Sequence, residues 1–232
     1  MRDILTAGLA ALGLDTAAAD DLERYAAALL EKNKVMNLTA ITDPRDVATL
    51  HLLDCAALAA QLDLPGKSVI DVGTGAGFPG MVLAILAPDA RFTLLDSLGK
   101  RVDFLQEVCD DLGLRNVTCV HARAEEFATA HRERFDIASS RAVAQLNVLC
   151  ELTLPLVRVG GMFAAMKSTS TDEEIRQAHS AIVQLGGQLT GCTDYTIPGT
   201  EVVHRVVSIE KTQHTPKQFP RAFARIKKAP LV

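Results

Sequence analysis

The sequence predicts an α/β protein with a mainly parallel sheet and helices on both of its faces. Two observations indicate this class. From residue 68 onward, strand-like apolar runs alternate with helix-like stretches, which is typical of parallel strands joined by helical crossovers. The first run leads through Asp71 to Gly73, Gly75 and Gly77, a spacing that favours a sharp turn from a strand into a helix.

The chain before residue 65 is predicted to be helical. Asp15 is a candidate N-cap for a helix rich in alanine and leucine. Asp43-Pro44 has the composition of an N-cap followed by a first helical residue. The helix that it opens carries apolar residues at helical spacing as far as Leu62. We therefore expect residues 1–64 to form a helical extension packed on the core.

Seven strands follow and define the predicted core. The runs lie at 68–72, 91–95, 117–120, 135–139, 161–165, 188–196 and 202–210. Helix-like segments separate the first six, including one from Ser97 to Leu112 with Ser97 as its N-cap and one near 172–185. The last strand is expected to be antiparallel to the others. We interpret 65–210 as one core domain.

The composition argues against several classes of protein. The chain is 48% hydrophobic, yet it has no apolar run near the ~20 residues that a membrane span requires. The N-terminal residues resemble no signal peptide. The five cysteines form no C-x-x-C pair and no Cys/His spacing typical of a metal site. We therefore expect a cytoplasmic monomer with reduced thiols, no metal and no membrane contact.

Charge is distributed unevenly along the chain. The net charge is −4, but residues 211–232 hold six basic residues and no acid, so the other 210 residues carry −10. Such a basic arm can neutralise phosphates of a nucleic acid. It can equally be a tail held to an acidic body by charge. Both interpretations are open at this point.

The glycine-rich turn predicts a nucleotide-containing cofactor. Asp71-x-Gly73-x-Gly75-x-Gly77 fits S-adenosylmethionine (SAM), whereas Gly75-x-Gly77-x-x-Gly80 fits a dinucleotide. An acid at the strand end would repel a pyrophosphate but attract the ammonium and sulfonium groups of SAM, which favours SAM. Asp96, at the end of the second strand, is placed to accept hydrogen bonds from ribose hydroxyls.

The remaining candidate residues follow from the sheet itself. Ligands of open α/β sheets bind at the carboxyl ends of the strands. We therefore expect one pocket to collect the strand ends at 71–77, Asp96, 121–125, 139–141 and Lys167.

At these residues the chain resembles the RsmG/GidB family of bacterial methyltransferases that act on small-subunit ribosomal RNA. The matching segments are Asn37-Leu-Thr-Ala-Ile41, His51-Leu-Leu-Asp54, Asp71-Val-Gly-Thr-Gly-Ala-Gly-Phe-Pro-Gly80, Asp96-Ser-Leu-Gly-Lys-Arg101, Arg123-Ala-Glu125, Ser140-Arg-Ala-Val-Ala144, Gly160-Gly161 with Lys167, Thr215-Pro-Lys217, Pro220-Arg221 and Lys227-Lys-Ala-Pro-Leu231. The resemblance covers nearly the whole chain.

The resemblance implies a SAM-dependent methyltransferase (Rossmann-like) fold and methylation of N7 of one guanine in 16S rRNA of the small ribosomal subunit. It also implies where the cofactor lies. The methionine portion would contact Gly73 and Phe78, the ribose Asp96, and the adenine Ala124 and Glu125. Arg141 would lie between cofactor and substrate. We add to the cofactor site Gly75 and Gly77, and to the candidate RNA contacts Lys100, Arg101, Lys167, Lys217, Arg221, Arg225, Lys227 and Lys228.

The residues agree with chemistry at guanine N7. This atom has a free lone pair and no proton to lose, so positioning should dominate over general-base catalysis. We expect Arg141 to hold the cofactor carboxylate, guanine O6 or a phosphate, or else to form a salt bridge with an acid. His51 is expected to be a packed histidine bonded to Asp54. A small-molecule methyltransferase and a non-catalytic binding module are the alternative functions.

Overall fold

A computed structural model describes residues 1–141 and 144–232. In this part of the chain, seven strands form one sheet in the order β3-β2-β1-β4-β5-β7-β6. The strands are β1 Ser68–Val72, β2 Arg91–Asp96, β3 Val117–His121, β4 Phe135–Arg141, β5 Val157–Ser168, β6 Gly187–Thr196 and β7 Val203–Lys211. Strand β7 runs antiparallel to its neighbours β5 and β6, and the other six strands run in one direction. The predicted sheet is confirmed.

Helices cover both faces of the sheet. They are α1 Arg2–Ala11, α2 Ala19–Asn33, α3 Pro44–Asp46, α4 Asp54–Ala59, α5 Gly80–Leu86, α6 Gly99–Leu112, α7 Ala124–Ala130, α8 Leu146–Thr153, α9 Asp172–Gln184 and α10 Phe223–Lys228. A π-helical segment, Val47–Leu53, connects α3 to α4. Two residues of the fourth-strand motif, Ala142 and Val143, lie outside the described residues. In the described ranges no helix has both the length and the apolar character needed to cross a bilayer.

Asp43 caps α3 as predicted, whereas Asp15 caps a 3₁₀ turn, Thr16–Ala18, that precedes α2. The Asp15 carboxylate accepts a hydrogen bond from the Ala17 N–H, and the Asp43 carboxylate accepts from the N–H groups of Arg45 and Asp46. These bonds satisfy backbone donors that a first helical turn leaves without partners. Tyr25 of α2 is fully buried, and its hydroxyl donates to the Ala76 carbonyl at 2.5 Å. The helical extension therefore packs directly beneath the glycine-rich turn.

The predicted N-cap of α6 is wrong by one residue. The helix begins at Gly99 with Leu98 as its N-cap, and not at Ser97. The Leu98 N–H donates to the Asp96 carboxylate at 2.9 Å. The Asp96 carboxylate thus fixes the backbone just before the helix, and no side chain caps the helix itself.

The segment from Lys211 to the end of the chain is not a free basic arm. Lys211 is fully buried, and its ammonium donates to the carbonyls of Leu154 (2.5 Å) and Val157 (3.1 Å). Burial lowers the pKa of Lys211 to about 8, although the Glu133 carboxylate lies 3.3 Å away. The guanidinium of Arg132 donates to three carbonyls farther along the segment, those of Thr215, Pro216 and Phe219.

Arg221 also has a structural partner. Its guanidinium donates to both oxygens of Glu151, at 2.8 and 2.6 Å, and the Glu151 side chain is fully buried. If Arg221 turned toward an RNA, the buried Glu151 carboxylate would be left without its partner. We therefore correct its assignment as an RNA contact. Lys217, Arg225, Lys227 and Lys228 are exposed.

Candidate active site

A cavity of about 430 Å³ opens at the carboxyl ends of the parallel strands. Of the predicted site residues, those that line it are Gly73, Gly75, Phe78, Asp96, Arg101, Ala124, Glu125 and Arg141. Gly77, Lys100, Lys167 and the basic residues of the C-terminal segment do not line it. The sheet thus brings the predicted cofactor residues together, except for Gly77.

The glycine-rich turn presents bare backbone to this cavity. Gly73 and Gly75 have φ angles of 70° and 62°, a region that L-residues rarely occupy. The N–H groups of Gly73 and Thr74 donate to the Leu95 carbonyl, at 2.9 and 3.1 Å, and hold the turn against β2. A Cβ on Gly75 would meet only the Gly73 carbonyl, at 4.0 Å. It would therefore occupy cavity space that a ligand can use.

Gly77 belongs to the back of the turn. A Cβ at this position would lie 2.6 Å from the Tyr25 hydroxyl and 2.9 Å from Leu105 and Met81. The missing side chain thus allows the turn to pack on α2 and α6. The structure places Gly77 in packing contacts, which corrects its assignment to the cofactor site.

Asp71 is also behind the turn. Its buried carboxylate accepts hydrogen bonds from the Gly80 N–H at 2.9 Å and from the Ser139 hydroxyl at 3.0 Å. Burial raises the pKa of Asp71 to about 6, against the opposing effect of these donors. Asp71 therefore ties β1 to α5 and β4. Our expectation that it faces the ammonium and sulfonium groups of the cofactor is wrong.

Asp96 is fixed at the cavity wall. One carboxylate oxygen accepts from the Gly75 N–H at 2.9 Å and the other from the Leu98 N–H. The Arg101 guanidinium lies 3.6 Å away. A carboxylate oxygen can accept more than one hydrogen bond, so both oxygens of Asp96 can still accept from the two hydroxyls of a ribose.

Arg123, which lies in the predicted strand end 121–125, and Phe223, which the sequence did not predict, complete this side of the cavity. Arg123, the N-cap of α7, lines it beside Ala124 and Glu125, and so does Phe223 at the start of α10. The Arg123 guanidinium lies 5.7 Å from the centre of the Phe223 ring. Arg123 belongs to the matching segment Arg123-Ala-Glu125. Phe223 lies in the segment that charge alone had suggested was an arm.

Arg141 is held by the helical extension. Its guanidinium donates to the Asp54 carboxylate at 3.0 Å, the Leu50 carbonyl at 3.3 Å and His51 Nδ1 at 3.0 Å. It also lies 4.8 Å from the centre of the Phe78 ring. Three of its five N–H groups thus have partners among the described residues. Arg141 therefore forms a buried salt bridge and lines the cavity at the same time.

His51 is neutral and fixed in one tautomer. Burial and the neighbouring Arg141 lower the pKa of His51 to about 4. Since Nδ1 accepts from Arg141, the proton is on Nε2, which donates to the Thr39 hydroxyl at 2.7 Å. The ring stacks on Phe78 with centroids 4.6 Å apart. The expected bond from His51 to Asp54 is wrong.

Asp54 receives a different histidine. Its fully buried carboxylate accepts from the Tyr195 hydroxyl at 2.7 Å and from His204 Nδ1 at 2.8 Å, in addition to Arg141. The hydrogen bond to Asp54 raises the pKa of His204. Tyr195 and His204 lie on β6 and β7, so no local sequence pattern links them to Asp54.

A second cavity adjoins the first. Its volume is about 480 Å³, and it shares His51 and Arg141 with the first cavity. Its other charged or ionisable lining residues are Asp54, Lys167, Glu174 and His204. Lys167 lies at the strand end as expected, but it lines this second cavity and forms an ion pair with Glu174 at 2.6 Å.

The first cavity has groups that fit SAM. It offers a fixed acid at Asp96, an open backbone cradle at Gly75 and an aromatic ring at Phe78. These groups suit a ribose, a close backbone approach and an apolar methylene chain. No cluster of three or more candidate metal ligands occurs in the described part of the chain.

The chain is similar to a family of methyltransferases. The family model GidB, rRNA small subunit methyltransferase G, matches residues 18–198. The ribosomal RNA small subunit methyltransferase G of Clostridium perfringens is 47% identical over 210 residues, which cover 89% of this chain and 88% of the relative. That of Alkaliphilus metalliredigens is 45% identical over 223 residues, covering 94% and 93%.

Solved structures share the fold. M. jannaschii TYW2 in complex with AdoMet matches with a TM-score of 0.54 at 15% identity, over 66% of this chain and 73% of that one. Precorrin-6y C5,15-methyltransferase from Geobacter metallireducens matches with a TM-score of 0.53 at 15% identity, over 77% and 92%.

Proposed function

This chain belongs to the GidB family of rRNA small subunit methyltransferases and uses SAM as its methyl donor, and we propose that the methyl acceptor is N7 of one guanine in 16S rRNA. The observation that carries this proposal is the junction of two cavities at Arg141. One cavity fits the cofactor, and the other opens a path for a base.

The cofactor residues have separable tasks. When bound, SAM supplies an electrophilic methyl group on a sulfonium. Asp96 would orient the ribose, Ala124 and Glu125 would border the adenine, and Gly73 and Phe78 would border the methionine portion. With the methyl carbon fixed in this way, catalysis depends on holding the acceptor in line with it.

The arrangement suits an acceptor that has no proton to lose. His51 lines both cavities and is a candidate base, but its pKa is low and hydrogen bonds occupy both of its ring nitrogens. Asp71 is enclosed behind the turn. Guanine N7 attacks through a free lone pair, so neither residue is required to remove a proton.

Electrostatics at the junction favour a base that becomes positively charged. Alkylation at N7 places positive charge on the purine, which an isolated arginine would oppose. The Asp54 carboxylate bonded to Arg141 compensates this charge. Arg141 can therefore position the cofactor carboxylate, guanine O6 or a phosphate while the local net charge stays close to neutral.

Cations at the surface would contact the rRNA backbone. We assign this role to Lys100, Arg101, Lys217, Arg225, Lys227 and Lys228. Phe223 lines the first cavity, so the short helix α10 places the last three of these cations beside that cavity. A monomeric, cytoplasmic enzyme stays a prediction.

Methylation mapping tests the proposal. The purified chain and SAM are incubated with 16S rRNA, naked or in small subunits, from a strain that lacks the gene for this chain. Borohydride reduction and aniline treatment then cleave RNA at N7-methylguanine. We expect one new cleavage site, at a guanine that is methylated in the parent strain. Transfer to another atom, or to no ribosomal substrate, would contradict the proposal.

A further inference from the structure

The second cavity contains a carboxylate with no role in cofactor binding. We propose that Glu174 binds the Watson–Crick edge of the target guanine and thereby selects guanine over other bases. This inference rests on the function proposed above and assigns a specificity-determining residue to it. Nothing in the sequence pattern distinguishes Glu174 from its neighbour Glu173, since both stand in the first turn of α9.

The Glu174 side chain is held in a fixed position. Its Oε1 accepts hydrogen bonds from the Leu146 N–H (2.5 Å) and from the Lys167 ammonium (2.6 Å). Lys167 is itself anchored by donating to the Ala144 carbonyl at 2.8 Å. Oε2 makes no hydrogen bond to any residue that the structure describes. The side chain is 22% exposed and lines the second cavity, so a ligand in that cavity can reach the carboxylate.

The two cavities impose an orientation on the base. N7 must face the first cavity, where the methyl donor lies, and the shared residues Arg141 and His51 mark the boundary. In guanine the N1–H and N2 amino donors of the Watson–Crick edge lie across the six-membered ring from N7. A guanine with N7 at the boundary therefore extends N1–H and the N2 amino group into the second cavity, where Glu174 lies.

The donors and acceptors match guanine in particular. Its Watson–Crick edge presents two adjacent donors, N1–H and N2–H, that one carboxylate can accept together. O6 is an acceptor beside N7 in the major groove, within reach of a cation at the boundary such as Arg141. Adenine has an acceptor at N1 and no amino group at C2, so Glu174 Oε2 would receive no hydrogen bond from either position.

The same contact strengthens as the reaction proceeds. Methylation at N7 makes the purine cationic, and the charge is shared with the six-membered ring that carries N1–H. A carboxylate bonded to that ring is then bound more tightly in the transition state than in the ground state, which lowers the barrier. Glu174 thus contributes to rate as well as to selectivity.

An inosine substitution tests this role. Inosine keeps N7, O6 and N1–H but lacks the N2 amino group. We compare kcat/KM for 16S rRNA with guanosine or, by splinted ligation, inosine at the mapped target. The enzymes are wild type, Glu174→Gln and the control Glu173→Gln. The amide of the Glu174→Gln variant keeps an oxygen for Leu146 and Lys167 but turns an NH₂ group toward the base.

We expect wild type and the control to prefer guanosine by about 10-fold, the effect of one charge-assisted hydrogen bond. Glu174→Gln should lose about 10- to 100-fold in kcat/KM on guanosine and prefer guanosine by no more than about 2-fold. Its SAM affinity and melting temperature should match those of wild type. If Glu174→Gln does not fold, Glu174→Asp replaces it, and its shortened carboxylate should also lower the preference.

Three results would overturn the inference. One is a wild-type enzyme with no preference for guanosine over inosine, and another is a Glu174→Gln enzyme, or its aspartate replacement, with the full wild-type preference. The third is a wild-type enzyme that methylates no guanosine-containing rRNA. The last result refutes the proposed function itself, whereas the first two leave that function intact and remove only the role of Glu174.

Discussion

Two glycines in the same turn are required for different reasons. Gly75 borders the cavity with a φ angle of 62° and free space beside it, whereas Gly77 is enclosed by Tyr25, Leu105 and Met81. Their spacing in the sequence does not distinguish them, because a glycine pattern indicates only that a side chain is excluded. What excludes it, ligand or protein, depends on helices α2 and α6, which approach from distant parts of the chain.

Replacing Gly75 should separate cofactor binding from backbone strain. Gly75→Ala places a methyl group in the cavity and a left-handed φ on alanine, which costs about 1–2 kcal/mol. Gly199→Ala, at a φ of 77° with nothing within 4 Å, is the matched control for strain alone. Both variants should lose similar stability in chemical denaturation. Only Gly75→Ala should weaken SAM binding in calorimetry, by at least about 10-fold, and equal affinities would contradict this role.

Arg141 illustrates what a single residue can reveal before a structure is known. Its position at a strand end predicted a place in the pocket, the family resemblance implied a place between cofactor and substrate, and it lines both cavities. Its partner Asp54, 87 residues earlier in the chain, could not be identified from local spacing. Such a pair depends on how the N-terminal helices dock on the sheet, which periodicity does not encode.

At the scale of elements, the helical run from α3 to α4 anchors the active site. The predicted α-helix is interrupted by the π-helical segment Val47–Leu53, a geometry often found at functional sites. Leu50, His51 and Asp54 all contact the Arg141 guanidinium from this run. Asp54 also links the run to β6 and β7, through Tyr195 and His204.

The hydrogen bond between His204 and Asp54 should make the stability of the folded protein depend on pH. Since the hydrogen bond to Asp54 raises the pKa of His204 above its ordinary value near 6.5, the protonated form stabilises the folded state. The contribution is complete below pH 6.5 and is lost as pH rises through the raised pKa. The charges facing His204 are Asp54, which favours protonation, and Arg141, which opposes it.

The measurement is the free energy of unfolding in urea between pH 6 and 8. His204→Asn keeps a donor for Asp54 but cannot be protonated, so the wild-type advantage over it should shrink as pH rises. The change should not exceed about 1 kcal/mol because the His204 side chain is 31% exposed. His179→Gln, which replaces an exposed histidine on α9, serves as the control. A difference between wild type and His204→Asn that does not vary with pH would refute the link.

The C-terminal segment marks a limit of prediction from composition. Six basic residues and no acid suggested an arm, but Lys211 and Arg221 satisfy carbonyls and carboxylates of the body. Their partners include Glu133, in the turn before β4, and Glu151 on α8. Alternation of strands and helices predicted those layers, whereas the pairing of individual charges across them required the folded structure.

At the scale of the whole molecule, basic residues are present at both ends of the parallel strands, the carboxyl end with the cavity and the amino-terminal end. Arg225, Lys227 and Lys228 are exposed on α10, which begins at the cavity. Lys67 and Arg91 lie at the amino-terminal ends of β1 and β2, away from the site. An RNA that reaches the cavity should therefore contact the first group and not the second.

Removing two positive charges from each end of the strands tests whether the RNA contacts only the end with the cavity. Lys227→Ala/Lys228→Ala should weaken rRNA binding by about 10-fold at low salt and reduce the slope of log affinity against log salt concentration by about 1 for each lysine. Lys67→Ala/Arg91→Ala removes the same charge and should change neither value, because non-contacting charges more than a Debye length (about 10 Å at 0.1 M salt) away are screened. SAM affinity should be unchanged in both. Equal losses from the two ends would mean that overall charge, and not a defined surface beside the cavity, attracts the RNA.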